Sequence, residues 1–486
     1  MIQPTFSPIN CVGHKQTETR VKAETSFNID EQIKKPISVK ARAFLTSVLS
    51  ENGNVKARAK VVFYFVYLSE DGYKKTETET EVNVEFPVES ATVSVAVCDT
   101  KLVSLGIGAS TTVIFYAESK TYEERNCISG GDGIIIKEKT EEFDIYYQGK
   151  DGRQTVTDEF ELNYLVGEVL AYSSEAYVNE VVSGLGRIIF DGETVLTLKV
   201  LPYGENSDII KERRVIPFRY EMEISDAMPE MRACGKVDVI STNLKVFADE
   251  NKNKSLATAD IALLFSGEAI SAQSVSLCDD AYLKDYHSDL NYCEFDMPCF
   301  VEQKCLTQKI SQSAGAGIDG GRIITVFGES LSVYGIKVAM GSFTVDGIVR
   351  CDVVFKNSDN GVSVVNAEIP FSLDVSVNGN ATGIKVCLVD LNAKLINGDI
   401  VLDAQLKVCY KSIIVKKIKC VDGISEKDRR NSIDCAITVY VPKNGDDVWD
   451  VAKEIGATEE DVIAFNPDLE FPLSEDERVV IYRQKN

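Results

Sequence analysis

A pattern that recurs three times before residue 425 constrains the fold more than any other feature. It consists of alternating apolar runs, a Gly-centred pair, and a further alternating run. In the middle of the chain Val166-Gly167-Glu168-Val169-Leu170 leads through Gly186-Arg187-Ile188-Ile189-Phe190 to Asp191-Gly192 and then Thr194-Val195-Leu196-Thr197-Leu198-Lys199-Val200. Later, Phe327-Gly328-Glu329-Ser330-Leu331 leads through Gly341-Ser342-Phe343 to Asp346-Gly347 and the apolar run 348–355. A looser first copy runs from Ile37-Ser38-Val39-Lys40-Ala41 to Asn52-Gly53 and the run 55–67. Each copy then reaches a Phe/Pro pair, at Phe86-Pro87, Pro217-Phe218 and Pro370-Phe371. Alternation of period two gives a strand one core face and one solvent face. An Asn-Gly or Asp-Gly pair between such runs signals a tight hairpin, because a type I′ turn needs positive φ. Turns are therefore expected at Asn52-Gly53, Asp191-Gly192 and Asp346-Gly347.

The repeat is too long for a solenoid unit, so each copy is expected to be a domain with its own core. A chain of 486 residues exceeds what one core ordinarily supports. The fold class this predicts is mainly β: three tandem β-sandwich-like domains over residues 1–155 (a degenerate copy), 156–325 and 326–425. Runs such as Ile384-Lys385-Val386-Cys387-Leu388-Val389 would close the second sheet of a copy. Polar stretches at 149–153 and 313–317 read as linkers, and 426–436 links the third copy to a last module at 437–486.

That last module reads as strand, helix, helix, strand. Ala436-Ile437-Thr438-Val439-Tyr440-Val441 is β-branched and aromatic, and Gly445-Asp446-Asp447 offers carboxylates to cap a helix start. Val448, Val451, Ala452 and Ile455 then fall on one helical face, and Gly456 is the expected stop. Thr458 caps a second helix that ends at Asn466-Pro467, and 478–482 is the closing strand.

The segment Gly445-Asp446-Asp447-Val448-Trp449-Asp450-Val451-Ala452, followed by Phe465-Asn466-Pro467-Asp468-Leu469, resembles a LysM domain. The resemblance implies a βααβ unit that takes N-acetylglucosamine chains in a groove between the loop before the first helix and the loop after the second. That groove would be lined by Asp446, Asp447, Val448, Asn466, Pro467, Leu469 and Glu470. Residues 437–486 hold 12 acidic and 5 basic side chains, a balance ill suited to wall glycan carrying acidic peptides. Tandem β repeats followed by one LysM module resemble the clostridial SPOCS-domain proteins of the spore coat. That resemblance implies a LysM module that binds the coat basement-layer ATPase on the mother-cell face of the forespore. A protein partner would use the groove loops and the edge of the first helix, where Trp449, the only tryptophan, is the candidate anchor; its other reading is a core residue of so small a domain.

Composition narrows the remaining classes. A net charge of −23 repels phosphate backbones, so nucleic acid is not an expected partner. Residues 1–10 lack a basic segment followed by an apolar one, and nowhere do about 18 apolar residues run together, so a cytoplasmic chain without membrane insertion is expected. Thirteen cysteines scattered among strand-like runs read as reduced, mostly buried thiols. Cys278, His287, Cys293, Cys299 and Cys305 hold ligand chemistry for zinc, but without the close pairing of a zinc knuckle, and no metal or other cofactor is expected. His14 and His287 are the only histidines, leaving little from which to build a nucleophilic triad. Glycines at 315–321 lack the Lys-Ser or Lys-Thr of a phosphate loop. The expectation is a non-catalytic structural and interaction protein whose β repeats self-associate or hold other coat proteins; the alternative is a peptidoglycan-binding protein of the cell wall.

Overall fold

The computed structural model describes residues 3–103, 108–204, 208–249, 253–318, 321–359, 361–430 and 436–482. The chain is mainly β, with two helices among the described residues. The first unit contains β1 (Pro4–Ser26), β2 (Lys35–Glu51), β3 (Asn54–Ser69), β4 (Gly72–Phe86), β5 (Thr92–Val103) and β6 (Gly108–Gly131). The second contains β7 (Ile134–Gln148), β8 (Gly152–Leu162), β9 (Val166–Gly184), β10 (Arg187–Pro202), β11 (Ile210–Glu223), β12 (Arg232–Asp249) and β13 (Lys254–Leu283). The third contains β14 (Tyr286–Gly317), β15 (Arg322–Ala339), β16 (Ser342–Lys356), β17 (Val362–Ser376), β18 (Asn380–Ile396) and β19 (Asp399–Arg429).

One strand order recurs. The first unit pairs β2-β3-β4 and β1-β6-β5, and the third pairs β15-β16-β17 and β14-β19-β18. The second pairs β9-β10-β11, while β12 lies beside β13, which also pairs with both β7 and β8. Two successive strands there do the work of one in the other units. All these pairings are antiparallel. In each unit the two sheets share one hydrophobic core. Period two is explicit along β3, where Val55, Ala57, Ala59, Val61, Phe63, Phe65 and Tyr67 are all buried.

The expected division at 155/156 cuts through β8, and that at 325/326 cuts through β15. Partner pairing is the physical reason: β7 and β8 both bond to β13, far along the chain, so the sheets divide after Gly131 and Leu283 instead. The stretch 149–153 joins β7 to β8 within one sheet, and 313–317 belongs to β14.

Of the three expected turns, Asn52-Gly53 closes a hairpin, with Glu51 paired to Asn54 and both turn residues at positive φ. Asp191-Gly192 and Asp346-Gly347 lie inside β10 and β16, whose hairpins close at Leu185-Gly186 and Met340-Gly341. The aspartates face outward, Asp346 accepting a hydrogen bond from Ser372 at 2.7 Å. The glycines face inward, each directly opposite a phenylalanine: Gly192 beside Phe218 and Gly347 beside Phe371. A Cβ at either position would lie 2.4 Å from the ring, so these glycines make room for an aromatic cover. The first unit has Ala59 opposite Val82 at the matching place, and Phe86 pairs with Val55 beside the turn instead.

The long strands extend beyond their own cores as two-stranded ribbons, β1/β6, β7/β13 and β14/β19. Their apolar faces meet in a common core to which Ile9, Cys127, Ile128, Phe143, Leu277, Cys278, Met297, Ile418, Cys420 and Val421 contribute. A second shared cluster joins Ile37, Val66, Leu170, Phe327 and Val354 from all three units. Beside it Glu329 of β15 accepts from the buried ammonium of Lys199 in β10, with Lys40 of β2 at 4.0 Å. Burial works against the Glu329 carboxylate, yet the two lysines outweigh it and hold its pKa down to about 2. Cys305 and Cys409, directly opposed on β14 and β19, form a disulfide, which corrects the expectation of reduced thiols at these two positions. No helix among the described residues is long and apolar enough to cross a membrane.

Candidate functional site: the C-terminal module and its seat

The module consists of β20 (Ile437–Tyr440), α1 (Val448–Ile455), α2 (Glu459–Phe465) and β21 (Val479–Tyr482), with β20 and β21 antiparallel. Both helices start on reciprocal caps. Asp447 accepts the amide of Asp450 at 2.8 Å while Asp450 accepts that of Asp447 at 3.1 Å. Thr458 and Asp461 do the same for α2. Gly456 ends α1 at φ 69°, and its missing Cβ also admits the carbonyl of Lys284.

The residues expected to line the groove divide into those that build it and those that face solvent. Asp446 builds it: its carboxylate accepts from the Tyr440 hydroxyl and the Lys443 amide, both at 2.8 Å. Burial, and then this carboxylate, push the Tyr440 phenol up. Asn466 builds it too, bonding to both backbone groups of Val480 at 2.8 and 2.9 Å and so tying the end of α2 to β21. Val448 and Leu469 pack, partly buried, on the module's core. Pro467 and Glu470 are exposed on the loop after α2.

Of the two readings of Trp449, the structure has the core residue and not the exposed anchor. Trp449 is only 3% exposed and not on a free helix edge. Its indole N–H donates to Asp280 of β13 at 2.8 Å, and its ring meets that of Tyr282 edge-on, centroids 5.0 Å apart. Lys453 donates to both oxygens of Asp280 at 2.6 Å, and the Tyr282 hydroxyl donates to the Ala457 carbonyl at 2.5 Å. The buried guanidinium of Arg430 donates to the carbonyls of Leu283 and Tyr286 and to that of Glu454 in α1. Tyr282 belongs to the module's own hydrophobic cluster and Ile135 packs against it. The ribbon of the second unit is therefore the seat on which the module rests.

This seat approaches the expected groove at one residue. Asp447 lies 3.6 Å from Lys137 of β7, a half-exposed pair worth about 0–1 kcal/mol. Burial raises the Asp447 carboxyl, but the Asp450 amide and Lys137 prevail and leave it below its ordinary value. Sequence reasoning missed Asp280, Tyr282, Lys137 and Arg430, because the only local sign was a carboxylate and a tyrosine inside an alternating run.

The possible zinc ligands are dispersed among other contacts. Cys305 is in its disulfide, Cys293 faces Cys420 across the ribbon, and the Cys278 thiol donates to the carbonyl of Asp280. No group of three or more His, Cys, Asp or Glu among the described residues is placed to hold a metal ion. The side chain of His14 lies outside the described residues. No family model, curated protein or solved structure matches the chain.

Proposed function

We propose that this chain is a non-catalytic structural and interaction protein of spore-coat assembly. Its three β units act as sandwiches of one repeated kind, and its last module is a LysM-type adaptor for the ATPase that forms the coat basement layer. The observation that carries the reading is the pairing of a thrice-repeated strand order with a βααβ module whose loops before α1 and after α2 are fixed by Asp446 and Asn466. Asp446 and Asn466 are engaged in fixing these loops, which leaves the exposed Pro467 and Glu470 to meet a partner. Seating the module on the second unit's ribbon adds support, because an adaptor joined rigidly to its scaffold loses less freedom when it binds.

With Trp449 committed to the seat, the partner surface consists of the loop residues that remain outward: Pro467, Glu470, the outer edge of Asp447 and the neighbouring exposed Ile463. Localisation at the forespore surface, on the mother-cell side, follows from the same reading. The test is co-purification of the full chain with the coat ATPase, beside calorimetry against chitin oligomers and purified peptidoglycan. Capture of the ATPase by the native chain, lost in the Pro467→Ala/Glu470→Ala double variant, is the expected result. Micromolar binding to the glycans without capture of the ATPase would replace this reading with that of a cell-wall protein.

A further inference from the structure

Near the end of the β14/β19 ribbon, three sulfurs from two units come together in the common ribbon core. Cys293 of β14 and Cys420 of β19 are directly opposed, with Sγ atoms 3.2 Å apart. Cys127 of β6 joins the same cluster, its sulfur accepting the backbone N–H of Cys278 from the second unit at 3.2 Å. Cys420 and Cys127 are almost wholly buried, whereas Cys293 is partly exposed. The same two strands already carry a disulfide between the opposed residues Cys305 and Cys409.

We propose that Cys293 and Cys420 form an oxidisable dithiol, a modification site that closes a second cross-strand disulfide in the β14/β19 ribbon on exposure to a hydroperoxide. Three observations support the pair. The two sulfurs are in contact, so no backbone movement is needed to bring them within bonding reach. Cys293 is the partly exposed residue of the two, the side from which an oxidant can attack, and buried Cys420 is the resolving thiol. Opposed cysteines on this ribbon form a disulfide elsewhere along it.

The chemistry balances without a cofactor. The Cys293 sulfur attacks one peroxide oxygen and the O–O bond breaks; the Cys293 proton leaves with the second oxygen as water, or as an alcohol from an organic peroxide. Cys293 is then a sulfenic acid. The Cys420 sulfur displaces its hydroxyl group, so that an S–S bond forms as the S–O bond breaks. The hydroxyl leaves as water with the proton from Cys420. Each sulfur gives up one electron and the peroxide takes two. Because β19 runs on to Arg430, the new bond staples the same ribbon that leads to the residue holding α1.

The experiment treats the folded full-length chain with hydrogen peroxide, blocks remaining thiols by alkylation, and maps linked peptides by mass spectrometry without reduction. A Cys293–Cys420 peptide that grows with peroxide, with two free thiols lost per chain, is the expected result. It should persist in Cys127→Ala and disappear in Cys293→Ser, while the Cys305–Cys409 peptide stays constant in all. Oxidation that leaves Cys420 alkylatable, or that links it to Cys127 in place of Cys293, overturns the proposal.

Discussion

Asp280 shows how much a single side chain can decide. It receives the indole of Trp449 and the ammonium of Lys453, so Asp280→Ala strands two donors at a covered interface at a cost of about 1–3 kcal/mol. Trp449 is the only tryptophan, which makes its fluorescence a direct report on the seat. Emission in Asp280→Ala should shift to the red as water reaches the indole, with a lower melting temperature for the module. An unchanged spectrum would place the indole elsewhere. Glu329 makes the corresponding case at the junction of the three units. Its folded pKa of about 2 lies below the ordinary 4.5, so its stabilisation is present above pH 4.5 and is lost as pH falls towards 2. Glu329→Gln leaves Lys199 buried without its counter-charge. It should destabilise the chain at neutral pH by about 3–5 kcal/mol and flatten the acid limb of a urea-stability profile between those pH values.

At the scale of elements, the two Asp-Gly pairs show why a local signal can point to the right strand and the wrong place in it. Asp outward and Gly inward is the alternation of a strand as much as it is the composition of a turn. What separates the two is the cross-strand partner, Phe218 or Phe371, whose ring needs the vacant Cβ position. Gly192→Val and Gly347→Val should each destabilise by about 1–3 kcal/mol or more through overpacking. Substitution at the true turn, Gly186→Ala, should cost about 1 kcal/mol through its positive φ alone. Denaturant melts of the three variants check the order, and a larger loss at Gly186 would contradict it. The helices were easier to read, because capping is a local matter: Asp447, Gly456, Thr458 and Asn466 stand at the helix boundaries that their types predict. Asp447→Ala should cost about 1 kcal/mol, seen as a small fall in the module's melting temperature.

Across the whole molecule, three units that each own a core are fastened together by ribbons that own none separately. Exposing Ile135 and Tyr282 by deleting residues 437–482 should leave the three β cores folded while lowering the stability of the second unit's ribbon. Hydrogen exchange should show this as faster exchange at 134–137 and 280–283 with little change in β3, β10 and β16. Neighbours a few residues away fix strand alternation, the Asn52-Gly53 turn, the two capped helices, and a mainly β chain ending in a strand-helix-helix-strand module. Long-range packing sets which strands pair, where the units divide, that Trp449 turns inward to Asp280, and that Cys305 meets Cys409. The last two contacts join residues 169 and 104 positions apart. A period of two tells each strand which face to bury, but the partner that buries it is chosen by the packing of the whole chain.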